Sequence, residues 1–125
     1  MISRELMVAA INDIAAIKNI EMDPKHLALD VYALAQAFSD EEEFKEVIVS
    51  VILAIKDVFK DGDIGDDLKY RLEGFKSYHF SSPYPKIPGD EDMRVVYPAY
   101  KSTIILAFGH RYILFKFYER LKTRV

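Results

Sequence analysis

At Gly74 the spacing of apolar side chains changes from one every three or four positions to one every two. Such a change of period joins a helical segment to a strand-forming one and restricts the chain to a mixed architecture. Before Gly74, Leu6, Met7, Ala10, Ile11, Ile14 and Ile17 make one helical stripe, with Arg4, Glu5, Asn12, Asp13 and Lys18 between them. Asp23-Pro24 predicts a second start, because aspartate accepts hydrogen bonds from the free N–H groups of a first turn and proline suits its first position. That helix carries Leu27, Val31, Leu34, Ala35 and Phe38 and should stop near Phe38. Ser39 followed by Glu42 has capping-box spacing, and the acidic run Asp40 to Glu43 suits the positive end of a third helix. Its broad stripe, Phe44, Val47, Ile48, Val51, Ile52, Ile55 and Phe59, predicts the most buried of the helices, ended by Asp61-Gly62-Asp63. Asp66 to Leu72 reads as one or two further helical turns before Leu72-Glu73-Gly74.

Beyond Gly74, Lys76 to Ser81 alternates Tyr78 and Phe80 on one face with His79 and Ser81 on the other. Ser82 to Gly89 holds three prolines and cannot continue a central strand. Met93 to Tyr97 and Ser102 to Phe108 read as two more strands around a Pro98 turn, which completes an antiparallel meander. Ile104 to Phe108 is apolar on both faces and is expected at the centre of the sheet. Ile113, Phe117 and Leu121, with Lys116, Glu119, Arg120 and Lys122, predict a short C-terminal helix, with a strand through Leu114 as the alternative. The expected fold is therefore α+β: one domain over residues 1–125, with three N-terminal helices on a small antiparallel sheet and a short C-terminal helix. A chain of 125 residues suits one core.

Several chemistries lack their residues. The chain has no cysteine, so no disulfide, thiolate metal site or cysteine nucleophile can form. Asp61, Asp63, Asp66 and Asp67 suggest a calcium loop, but that spacing needs an acceptor where Gly65 stands, glycine at Asp66 and glutamate at Leu72. His26, His79 and His110 form no metal-binding pair, no glycine elbow surrounds a serine, and no glycine-rich phosphate loop occurs. No cofactor or metal is expected. The longest nearly apolar run, Val47 to Ile55, has nine residues, about half of a membrane span. Arg4, Glu5, Asp13 and Lys18 interrupt the first twenty residues, so neither a spanning helix nor a secretory leader is expected, and the location expected is cytoplasmic.

Charge separates along the chain. Residues 1–68 hold 6 Lys+Arg against 15 Asp+Glu, a net −9, whereas residues 69–125 hold 11 against 5, a net +6. A basic half attracts phosphate or an acidic protein segment, and an acidic half of the same chain can cover it. The basic half carries His79, Arg94, Arg111 and Tyr118, with Lys76, Lys86 and Lys101. Guanidinium forks bind phosphate oxygens and stabilise the charge of a pentacoordinate transition state, and an imidazole or phenol can move protons. The same residues can equally form an ordinary solvated basic face.

Asp92-Met93-Arg94-Val95-Val96-Tyr97, then Ile104 to Arg111, then Phe117-Tyr118, with Leu72-Glu73-Gly74 upstream, resembles the C-terminal half of RelE/ParE-superfamily toxins. The resemblance runs from Leu68 to Leu121. It implies an endoribonuclease of a type II toxin–antitoxin system that cleaves mRNA, on the ribosome in some relatives, and is held inactive by an antitoxin protein. By the same resemblance Arg94 would orient the scissile phosphate, Arg111 would stabilise developing charge, and Tyr118 would stack on a base or share in proton transfer. His79 stands where relatives carry a lysine and would serve as the base, while Lys76, Lys86 and Lys101 would bind RNA. The resemblance also admits a ParE-like toxin that inhibits gyrase, or an inactive interaction module of the same fold, and leaves self-association open. The helical start and the long Ser82 to Asp92 connection depart from the family pattern.

Overall fold

A computed structural model describes residues 1–111 and 117–125. Three helices come first: α1 (Arg4–Ala15), α2 (Pro24–Ala37) and α3 (Glu41–Lys60). Four strands follow, β1 (Asp66–Asp67), β2 (Phe75–Phe80), β3 (Met93–Pro98) and β4 (Ala107–His110), and then α4 (Phe117–Lys122). The sheet order is β1-β2-β3-β4, antiparallel throughout, so the architecture is the expected α+β meander. No helix among the described residues is long and apolar enough to cross a membrane.

Side-chain oxygens cap the three N-terminal helices. Ser3 accepts from the Leu6 N–H of α1 and Asp23 from the Lys25 and His26 N–H groups of α2. For α3 the cap is Asp40, whose Oδ1 accepts from the Glu43 N–H at 3.0 Å, one residue later than the Ser39 start expected. Both residues can cap, and the carboxylate adds favourable charge at the positive end of the helix.

The pleat gives the sheet two apolar faces. Tyr78, Phe80, Met93, Val95, Tyr97 and Phe108 pack towards Ile14, Val31, Leu34, Phe44, Val51 and Ile55 of the helices. Val96 and Ala107 lie under Phe117 and Leu121 of α4, with Phe75 and Leu106 beside them. Among the described residues five of the 26 buried core side chains belong to this second layer and the rest to the helical face, which holds most of their apolar burial.

Two expectations fail at the sheet margins. Asp66 and Asp67 are not helical: they pair with Ser77 and Lys76 as a two-residue edge strand, and only Tyr70–Leu72 forms a 3-10 turn. Ser102 to Leu106 is not strand either. Successive turns place it beside Glu21, which donates to the Thr103 carbonyl at 2.9 Å and accepts from the Ile105 N–H at 2.8 Å. Consequently β4 is short and sits at the edge of the sheet instead of its centre. It is apolar on both faces because the helices cover one and α4 the other. Its outward Phe108 N–H is satisfied by Asp30 of α2 at 3.1 Å, which closes the exposed edge. Ile113, Leu114 and Lys116, placed by sequence in the last helix or strand, lie outside the described residues.

The link from α3 to β1 is pinned by one phenol. Tyr97 Oη donates to the Gly62 carbonyl at 2.8 Å and accepts from the Gly65 N–H at 3.0 Å. A Cβ on Gly65 would stand 2.6 Å from Tyr97 Oη and 3.0 Å from Lys76 Cβ. Gly65→Ala should therefore destabilise the fold by about 1–3 kcal/mol through overpacking. In a Tyr97→Phe background, where the crowding oxygen is gone, the alanine should cost measurably less, and paired urea titrations read the difference.

Candidate functional site

The register of β2 and β3 sets His79 opposite Arg94, and β4 sets Gly109 opposite Arg94. These residues share the face covered by α4, two positions along from the row of Ser77, Val96 and Ala107. Tyr118 reaches that neighbouring row from α4, where its hydroxyl shares a 3.0 Å hydrogen bond with Ser77 Oγ. Its ring lies edge-on to Phe117, 5.2 Å between centroids. The strand pleat and the short helix thus bring together three of the four candidate catalytic residues.

Arg94 is 2 % exposed. Its Nη1 donates to the carbonyls of Glu91 at 2.5 Å and Met93 at 2.8 Å, and its Nε is buried with no hydrogen-bond partner. Among the described residues no carboxylate lies within ion-pairing distance of it. Among the described residues its bonds run to carbonyl dipoles, and a buried guanidinium held in this way raises the local potential. His79, about one third exposed, lies beside it. Burial, first, and the charges of Arg94 and Arg111 push the His79 imidazole below its ordinary value of 6.5, against the opposing pull of Asp66 and Glu91. Near neutral pH the ring is consequently uncharged, with one nitrogen lone pair to accept a proton.

Arg111 is exposed at the end of β4, where its N–H donates to the Asp92 carbonyl at 2.7 Å, and its charge reaches His79. Lys86 lies exposed in the loop that leaves β2 at the His79 end. The other two lysines lie elsewhere. Lys76 alternates to the opposite face with Tyr78 and pairs with Asp67 at 2.9 Å, which holds its pKa up. Lys101 lies in the β3–β4 connection at the far end of the sheet and pairs with Glu21 at 2.7 Å, also with a raised pKa.

Two polar clusters lie outside the candidate residues read from the sequence. Asp30 is fully buried on α2 and receives Arg124 at 2.8 and 2.9 Å and Arg120 at 3.1 Å, as well as the Phe108 N–H. The acidic half does reach the basic half, through these C-terminal arginines, through Lys101 and through Lys76, and among the described residues none of the carboxylates involved lies within ion-pairing distance of Arg94. The second cluster ties down the long loop: Asp92, 1 % exposed, accepts from Ser82 N at 2.7 Å and Ser82 Oγ at 2.6 Å, with His110 Nε2 at 3.6 Å. Burial raises the Asp92 pKa, but the bonds from His110 and Ser82 outweigh it and hold the carboxyl below its usual range. Since the Ser82 hydroxyl donates its hydrogen bond to the Asp92 carboxylate, the serine is not set up as a nucleophile by the histidine.

No group of three or more metal-ligating side chains occurs among the described residues. No family model, curated protein or solved structure matches the chain.

Proposed function

We propose that this chain is a metal-independent, toxin-like endoribonuclease that cleaves mRNA in the cytoplasm and is held in check by an antitoxin protein. The observation that carries the reading is a neutral imidazole, His79, directly across the strand pair from Arg94, a buried guanidinium with no carboxylate within ion-pairing distance among the described residues. In this reading His79 takes the 2′-hydroxyl proton, O2′ bonds to the adjacent phosphorus, and the bond from phosphorus to O5′ breaks. Water protonates the leaving oxygen, and the products are a 2′,3′-cyclic phosphate and a 5′-hydroxyl. Arg94, buried opposite His79 on the neighbouring strand, acts through its field, whereas exposed Arg111 meets the phosphate oxygens and stabilises the transition state. Tyr118 offers its ring beside Ser77 for base stacking, and Lys86 adds charge at the same end.

A second reading, a non-enzymatic interaction module on the same fold, is favoured by the 2 % exposure of Arg94, which removes that residue from direct contact with a ligand. Induction of the wild type and of a His79→Ala/Arg111→Ala variant, followed by mapping of transcript 5′ ends, separates the two. The ribonuclease reading expects new 5′-hydroxyl ends with the wild type alone, at matched soluble protein. Growth arrest with intact transcripts would point to a gyrase-type target. Normal growth with intact transcripts would leave the interaction module.

A further inference from the structure

The two-residue strand β1 does little for the core, since both side chains are exposed. It is nevertheless fixed from several sides: Tyr97 holds Gly62 and Gly65, Lys76 pairs with Asp67, and Leu68 N–H donates to the Phe75 carbonyl at 2.9 Å. The register that results pairs Asp66 with Ser77 and puts its side chain on the face of Ser77 and His79, diagonal to the imidazole. Asp66 Oδ2 then stands 3.9 Å from His79 Nε2, and among the described residues it is the carboxylate within ion-pairing distance of that ring. The other charges acting on His79 are Arg94 of β3, Glu91 just before it and Arg111 after β4. Two cations oppose protonation, and Asp66 is the nearest group that favours it.

We propose that Asp66 is the positioning residue of His79. Its carboxylate turns Nε2 towards itself, so that Nε2 carries the proton of the neutral ring and Nδ1 accepts the proton from substrate, and it stabilises the imidazolium that forms. The proton transfer rests on the ribonuclease reading, but the orientation of the ring does not. At 3.9 Å the pair is longer than a hydrogen bond, and protonation of the ring draws the two groups together.

The test uses the full chain at low ionic strength, because salt screens an exposed pair. Long-range proton–nitrogen NMR of the wild type, Asp66→Asn and Asp66→Glu, with His79→Gln for assignment, reports both the titration and the tautomer of His79. Expected are a Nε2–H tautomer in the wild type, a lower His79 midpoint and loss of that preference in Asp66→Asn, and recovery of both towards wild type in Asp66→Glu. For RNA cleavage, Asp66→Asn should lower kcat about tenfold with KM unchanged, as expected for loss of an orienting partner, and should move the acidic limb of the pH profile with the His79 midpoint. An unchanged titration and tautomer in Asp66→Asn would overturn the assignment even if the wild type cleaves RNA. A wild type that cleaves nothing, with the tautomer still governed by residue 66, would overturn the ribonuclease reading and uphold the orientation.

Discussion

Asp30→Ala should lower the unfolding free energy by about 3–5 kcal/mol, the range for removing one partner from a buried ion cluster. The carboxylate is fully buried, and its loss strands the Arg124 side chain, 2 % exposed, together with the edge N–H of Phe108. Arg120 loses its ion pair as well, although its side chain is 26 % exposed and water can compensate part of the change. For a domain of this size the shift corresponds to a fall in Tm of roughly 10–25 °C. Asp30→Asn should be milder, because the amide oxygen can still accept from Phe108. An apolar replacement of the whole cluster, Asp30→Leu with Arg120→Met and Arg124→Met, should recover much of the loss, since no charge then remains buried. Urea unfolding of the series decides the matter: a single alanine variant within 1 kcal/mol of wild type by roughly the usual error of extrapolation would show that the cluster is not a structural clamp.

On the proposed ribonuclease reading, His79→Ala should reduce RNA cleavage by about 10²–10⁴-fold, the usual contribution of a general base, with little change in the urea midpoint because the ring is partly exposed. The pH dependence has a definite sign. A base works in its neutral form, so kcat/KM should rise with pH through a midpoint below 6.5 and then level off on that limb. Stability follows the same direction: the folded state disfavours the imidazolium relative to the unfolded chain, so the contribution of His79 is present above 6.5 and is lost as pH falls through the folded midpoint. A profile flat from pH 5 to 8 by about the precision of such assays would remove His79 from the role of base.

The three N-terminal helices were legible because each has an apolar stripe, and α2 and α3 also have a capping residue at their heads. The displacement from Ser39 to Asp40 reflects two adjacent residues with equal capping chemistry. Strand β2 was legible from its alternation, and with β3 it gave the face on which His79 and Arg94 meet. By contrast, β1 has two residues and no period to read, so Asp66 was read with an acidic loop and the start of a further helical turn. The edge position of β4 was hidden because a strand covered by helices on both faces looks, in sequence, like a central one. Asp30 did leave a mark: it interrupts the stripe of Leu27, Val31 and Leu34 on the apolar side of α2. A carboxylate at such a place needs a buried cation, but sequence alone does not say that Arg120 and Arg124 supply it.

The Asp30 clamp also governs the order in which the chain can acquire its structure. Its arginine partners lie 90 and 94 residues downstream. During synthesis the helical half can gather through local contacts, but it carries an aspartate on its apolar side whose counter-charges have not yet been made. Full burial of that side must wait until Arg124, two residues past α4, has emerged, and closure over such a span carries the slow kinetics of high contact order. The charge separation along the chain is thereby a timing device as well as an electrostatic one: the acidic half remains hydrated while it is alone, and becomes part of a dry core only when the basic half arrives.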